Sequence, residues 1–243
     1  MKNLEFRIGN TLSKFPKGYA ILETRASPVN GKIEVREDWR KRKSITVGGL
    51  TQSGPAVEKV WKAGLTVVSK QLAVISDCLI LGLGAGSVVK LISQKNPGAK
   101  ITGIEIDPLV VDLGRKYFGL ENIKNLKIQI GDAISVIGHN SLTINHKPSA
   151  INHFDLILVD LYVGDRFPRQ AESPSFLNKI KKLLTTDGVV IFNRLYYGEK
   201  KSETDDFAEI IGKIFRGVEE IFVDWNKLFV CRNGESKPLA IRS

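Results

Sequence analysis

Residues 77–91 read DCLILGLGAGSVVKL. The apolar run from Cys78 to Leu81 is short and bounded by turn residues, the pattern of a strand buried on both faces. Glycines at 82, 84 and 86 then turn the chain sharply, and a helical pattern begins at once after Ser87. Strand, glycine turn and helix N-terminus in this order open a parallel α/β sheet. They also leave unpaired helix N–H groups where anionic or carboxylate atoms of a ligand can sit. A tight turn chosen for packing alone would use the same residues, so the decision passes to the rest of the chain.

Downstream, strand and helix alternate with regularity, the signature of a doubly wound sheet. Strands are expected at 78–81, 101–105, 126–130, 156–159, 189–192, 218–222 and 228–230, and helices at 88–93, 108–118, 133–137, 175–184 and 204–215. Asp107 suits the N-cap of the helix that opens at Pro108. The polar, turn-rich stretch 138–152 reads as a surface insertion. Upstream, Pro55 and the spacing of Val57, Val60, Trp61, Leu65 and Val68 predict a helix within 54–69. Before it, 21–25, 32–37 and 44–49 read as short strands, with Asn30-Gly31 as a two-residue hairpin turn. The expected architecture is α/β: a mostly parallel, seven-stranded Rossmann-like sheet over 54–243, preceded by a small antiparallel β-domain over 1–53.

Composition is that of a globular chain, 42% apolar and 26% charged over 243 residues. No apolar run approaches the roughly 18 residues of a membrane helix, and MKNLEFRIGN lacks a signal-peptide segment; a cytoplasmic protein without a membrane partner is expected. Cys78 and Cys231 lie in strand-like runs as buried free thiols. Lys and Arg number 36 against 26 Asp and Glu, an excess that attracts anions but says nothing of fold. The RKRK run at 40–43 reads as a solvated hairpin turn, so nucleic acid is not expected as a partner. His139, His146 and His153 recur without cysteine partners, and no metal site is expected. The reading leaves room for a homodimer.

Three strands close on acids at one rim. Glu105 ends the second strand, roughly 20 residues beyond the glycine turn, where a carboxylate accepts hydrogen bonds from both hydroxyls of a ribose. Asp132, ending the third, faces the same crevice, where an adenine amino group can be met; Ile106 and Ala133, next to these acids, share the rim. Asp160 ends the fourth. Each acid alone also suits a helix cap or a solvated loop. A nicotinamide dinucleotide is the rival ligand, but Ser87 stands where that fingerprint wants Gly or Ala, and the third-strand aspartate has no task at a pyrophosphate.

These motifs resemble the spermidine synthases and their class I methyltransferase relatives over about 21–232. LILGLGAGS resembles their glycine motif, GIEIDPLVV their ribose-binding strand, IGDA their adenine-contacting aspartate and FDLILVD the strand bearing their catalytic-loop acid. ILETRASPVNGKIEV and SITVGGLTQSG resemble the β-domain that precedes their core. The resemblance implies S-adenosylmethionine, or its decarboxylated form as co-substrate, held by Gln52, Gly82, Gly84, Gly86, Glu105, Ile106, Asp132 and Ala133, with Asp160 as the catalytic residue. The chain departs from the aminopropyltransferase pattern at Val163, where those enzymes carry a second aspartate, and in GPAVEKVWKAGL, where only Glu58 remains of an acidic group that binds a diamine. Tyr162, Arg166, Arg169, Arg194, Tyr196 and Tyr197 lie on the loops beyond the fourth and fifth strands. Tyr162, Arg166 and Arg194 are therefore expected to hold a small or anionic acceptor. A methyltransferase is expected first, an aminopropyltransferase second and a non-catalytic nucleoside-binding module third.

Overall fold

The computed structural model describes residues 18–69, 74–139, 143–144, 147–148 and 154–233. Its first four strands, β1 (Tyr19–Ser27), β2 (Gly31–Asp38), β3 (Lys43–Val47) and β4 (Leu50–Ser53), form an antiparallel sheet in that order. The fourth strand goes beyond the three expected: its sequence, LTQS, has no alternation to announce it. The preceding Gly48-Gly49 pair does, since both adopt positive φ, as a two-residue hairpin requires. The first hairpin is wider than expected. Ser27 pairs with Gly31, so Pro28, Val29 and Asn30 form the loop, and among the residues of that turn only Gly31 has positive φ. Asn30 is thereby the last residue of the loop.

Helix α1 (Pro55–Val67) leads into β5 (Asp77–Leu81), α2 (Ser87–Lys95), β6 (Lys100–Glu105), α3 (Pro108–Phe118), β7 (Leu126–Ile130) and α4 (Ala133–Gly138). Of the expected insertion, Gly138 ends α4 and His139 is its C-cap, and Thr143–Ile144 and Lys147–Pro148 pair as β8 and β9; the remainder, His146 included, lies outside the described residues, as do His153 and 1–17 of the N-terminal segment. The chain resumes with β10 (Phe154–Val159), α5 (Pro174–Leu183), β11 (Leu184–Leu195), α6 (Lys200–Ile214), β12 (Gly217–Val223) and β13 (Asn226–Arg232). The seven expected strands form one sheet in the order β12-β13-β11-β10-β5-β6-β7. It is parallel from β11 to β7, with β13 antiparallel to both neighbours. From β5 the chain winds outward to β7, then jumps back to β10 on the other side. That switch point, between β5 and β10, is where a parallel sheet opens a crevice.

Alternation along the central strands divides the core. Leu79, Leu81, Ile157, Val159, Val190 and Phe192 face α4, α5 and α6, while Cys78, Ile80, Leu156, Leu158, Val189 and Ile191 face α1 and α2. Both described cysteines are free and buried. The N-terminal sheet lays Ile33, Val35, Ile45 and Val47 on Val110, Leu113 and Phe118 of α3. Outside that patch Glu23 takes hydrogen bonds from Lys116 and Tyr117, which hold its carboxyl down to about 2. Among the described residues no helix is long and apolar enough to cross a membrane.

Candidate active site

The glycine turn leaves β5 with both Gly82 N and Leu83 N donating to the carbonyl of Ile104 at 3.0 Å. Gly82 has φ +86°, and a Cβ there would lie 2.2 Å from the carbonyl oxygen of Asp160. The turn is therefore pressed against the end of β10, which donates from Asp160 N to Leu81 O at 2.8 Å. Ser53 and Ser87 staple it to the N-terminal sheet: Ala85 N donates to Ser53 Oγ and Gly54 N to Ser87 Oγ, each at 2.9 Å. Gly86, in the left-handed region, is the N-cap of α2.

Glu105 is buried at the end of β6. Its Oε2 accepts Gly84 N at 2.8 Å and its Oε1 accepts Asp107 N at 3.0 Å. Burial pushes its carboxyl up, against these backbone donors. Each oxygen keeps a further lone pair, enough for the two hydroxyls of a ribose. Asp107 is itself fully buried: it caps α3 through Leu109 N at 2.9 Å and takes hydrogen bonds from Ser27 and Asn30 of the first hairpin. Asp132 caps α4, accepting Ile134 N at 3.2 Å and Ser135 N at 3.0 Å, and it also lines the crevice. Cap and site wall are thus one residue. The crevice brings together Gln52, Gly82, Gly84, Glu105, Ile106, Asp132, Ala133, Asp160 and Tyr162, with apolar Leu83, Val110 and Ile134 beside them. Acceptors for a ribose and an exocyclic amine, beside apolar walls and a helix N-terminus, fit an adenosine nucleoside.

A second pocket shares the wall formed by Gln52, Val57, Asp160 and Tyr162. There Asp160 Oδ1 accepts Asn193 Nδ2 at 2.9 Å and Oδ2 accepts Trp61 Nε1 at 3.1 Å; burial pushes its carboxyl up despite these two donors. The Tyr162 hydroxyl accepts Leu195 N at 2.7 Å, and Gln52 Nε2 donates to Gly164 O at 3.1 Å across the mouth. Tyr197 and Trp225, their ring centroids 6.3 Å apart, wall the outer side with Asn226 and Asp224. Lys59 Nζ holds Asp224 at 2.6 Å. Among the described residues the charged ones lining this pocket are Asp160 and Asp224, with no lysine or arginine.

The expected arginine clamp is corrected by where these side chains sit. Arg194 is 2% exposed and turned into the core. Its Nη2 pairs with Glu172 at 2.6 Å, and its guanidinium lies 4.1 Å from the Phe167 ring centroid and 4.6 Å from that of Phe207. Nε and Nη1 find no acceptor among the described residues. Arg166 is exposed and ends a tight turn closed by Val163 N to Arg166 O at 3.1 Å and the reverse bond at 3.2 Å. Neither arginine lines either pocket; Arg169 is exposed, and Asp165 points out from the same turn as Arg166. Sequence reasoning missed Trp61, Asn193, Trp225 and Asn226. A period-2 reading carried past Phe192 would have found two of the facts at once, because Arg194 follows Phe192 and Val190 onto one face and Asn193 follows Ile191 onto the other.

Of the three histidines His139 is described, and its Nδ1 lies 2.9 Å from Ser135 O.

A family model described as the spermine/spermidine synthase domain matches residues 65–223. The polyamine aminopropyltransferase of Vibrio vulnificus is 30% identical over 54% of this chain and 43% of its own length. The eEF1A lysine and N-terminal methyltransferase homolog of Drosophila melanogaster is 26% identical over 93% of this chain and 34% of its own length. The chain thus spans less than half the length of these curated relatives. Among solved structures, human methyltransferase-like protein 13 in complex with SAH superposes with TM-score 0.64 at 24% identity, covering 77% of this chain and 86% of that one. Spermidine synthase from Thermotoga maritima gives TM-score 0.71 at 16% identity, covering 88% and 73%. At these identities the likeness shows the fold.

Proposed function

Because the chain belongs to the spermine/spermidine synthase domain family, we propose that it is a transferase that binds S-adenosylmethionine and passes a methyl group to an amine. The observation that carries this reading is the wall shared by the two pockets at Gln52, Asp160 and Tyr162. A donor on one side and an acceptor on the other meet at that wall. The nucleoside, when bound, supplies a carbon already attached to a cationic sulfur leaving group. The chain's task is then to align an acceptor and to take its proton.

In this reading Glu105 holds the ribose hydroxyls and Asp132 meets the adenine amino group, with Ile106 and Ala133 beside them. The Gly82–Gly84–Gly86 turn and the N-terminus of α2 receive the amino-acid carboxylate. Asp160, with one lone pair per oxygen not used by Asn193 or Trp61, orients the acceptor and takes its proton. Tyr162, Tyr197 and Trp225 wall the acceptor's apolar part. An ammonium suits aromatic faces and a carboxylate better than an anion does, and the placement of Arg166 and Arg194 removes the ground for an anionic acceptor. The two relatives support an amine: one is named for lysine and N-terminal methylation, the other for polyamine aminopropyl transfer. The two buried free thiols suit a cytoplasmic setting, and 1–53 serves in this reading as a small β-domain in front of a catalytic domain over 54–243.

Aminopropyl transfer is the second reading, favoured by the 30% identity to the aminopropyltransferase. Against it, Val163 stands at the second loop acid and Asp224 is paired with Lys59, so among the described residues lining the pocket Asp160 is the one carboxylate not held by a cation. Incubation with S-adenosylmethionine or its decarboxylated form, plus Nα-acetyl-lysine or putrescine, followed by mass spectrometry, separates the readings. Methylated Nα-acetyl-lysine supports the first; aminopropylated putrescine at ordinary enzymatic rates replaces it with the second.

A further inference from the structure

The hairpin between β12 and β13 turns through Asp224, at φ 52°, and Trp225, and returns as Asn226. From there a chain of amides leads inward. Asn226 Nδ2 donates to Asn193 Oδ1 at 2.8 Å, and Asn193 Nδ2 donates to Asp160 Oδ1 at 2.9 Å. The two ends of a primary amide are alike in shape and opposite in hydrogen bonding, so the end that Asn193 turns to Asp160 answers to both neighbours: the carboxylate, which only accepts, and the partner on the far side. Asn226 is that partner. By placing an NH2 group against Asn193, it draws the Asn193 carbonyl outward and leaves the Asn193 NH2 facing the carboxylate.

We propose that Asn226 is a positioning residue for Asp160: from the wall of the acceptor pocket it fixes the Asn193 amide so that Asp160 meets a donor and not a lone pair. The consequence for function rests on the reading of Asp160 as the group that takes the acceptor's proton. Few other polar groups compete. On α1 the facing group is the Trp61 indole, on the loop after β5 it is the glycine turn, and on the loop after β10 it is the Tyr162 phenol, which burial keeps neutral. Asp224 lines the far side of the pocket, tied to Lys59. The two donors therefore offset the burial that disfavours the Asp160 anion.

The test needs no ligand. Trp61 donates to Asp160 and is buried, whereas Trp39 and Trp225 are exposed, so the slowly exchanging indole N–H resonance reports the Asp160 titration by NMR. Asn226→Asp offers acceptors only. Asn193 must then turn its NH2 outward and its carbonyl to Asp160, and the midpoint should rise by about one pH unit, a tenfold change in proton affinity. A through-space effect of the new charge would give the same sign, so the variant is repeated in an Asn193→Leu background, where no amide remains to turn. Positioning predicts that most of the Asn226→Asp increment disappears there. Asn226→Leu, without charge, should give a smaller rise that vanishes in the same background. Equal increments in both backgrounds, or no rise in folded Asn226→Asp and Asn226→Leu, overturn the proposal. The transferase reading is tested separately, since these titrations are made without nucleoside or acceptor.

Discussion

Gly82→Ala probes the contact between the glycine turn and the end of β10. An alanine Cβ at this position would lie 2.2 Å from the Asp160 carbonyl oxygen, where real Cβ contacts essentially never fall below 3.0 Å, so the two backbones must part by about 0.8 Å. Neither can yield freely: Gly82 N and Leu83 N are bonded to Ile104, and Asp160 N to Leu81. Left-handed backbone costs an L-residue roughly 1–2 kcal/mol, and overpacking a tight site adds about 1–3 kcal/mol. The expected loss is thus about 2–5 kcal/mol by urea unfolding. Gly84→Ala is the control: it also has positive φ, but its Cβ meets the Ser53 hydroxyl at 2.9 Å, a side chain that can rotate at the loss of its hydrogen bond from Ala85 N, so the strain of roughly 1–2 kcal/mol and about 1 kcal/mol for that bond remain, without a backbone clash. A shift of Asp160 on this scale should also slow transfer by on the order of a hundredfold. If Gly82→Ala proves as stable as Gly84→Ala, the close approach is not a constraint and the reasoning fails.

Arg194→Met should cost about 2–4 kcal/mol of stability by leaving Glu172 unpaired and Phe167 and Phe207 without their cation, yet leave acceptor use by the folded variant unchanged; a large rise in acceptor KM with nucleoside affinity unchanged would restore the clamp. The Glu23 carboxyl is held near 2 against an ordinary value of 4.5, chiefly by hydrogen bonds from Lys116, Tyr117 and Arg25. Because the folded value is depressed, its contribution is present above pH 4.5 and is lost as pH falls toward 2; melting temperatures for Glu23→Gln should therefore show a flatter acid limb than wild type. Trp225→Ala should weaken acceptor use by roughly 1–2 kcal/mol, the scale of a partly desolvated cation–π contact, with nucleoside binding unchanged; equal losses of both in titrations would contradict a separate acceptor pocket.

The sheet and the gathering of three acids on one crevice were legible because their signals are local. DCLILGLGAGSVVKL needs no tertiary information to read as strand, turn and helix, and Glu105, Asp132 and Asp160 each follow a strand whose carboxyl end must open on one edge. The second pocket was not legible for the opposite reason. Trp61 comes from a helix, Asn193 from a strand end and Asn226 from a hairpin, and none has a residue type that signals its task. Arg194 misled because its charge suggested a surface, while its strand position, one alternation beyond Phe192, placed it inside. The excess of basic residues misled likewise: among the described residues no lysine or arginine lines the second pocket.

The most direct test of the central claim is calorimetric titration of wild type and Glu105→Ala with S-adenosylmethionine and its demethylated product. The Glu105 carboxylate is buried between Gly84 N and Asp107 N, with lone pairs left for two hydroxyls. The account predicts measurable binding to wild type and a loss of roughly 2–5 kcal/mol in Glu105→Ala. Tight binding of a nicotinamide dinucleotide with no heat from either sulfonium-derived nucleoside, or equal affinity in the two proteins, would contradict it.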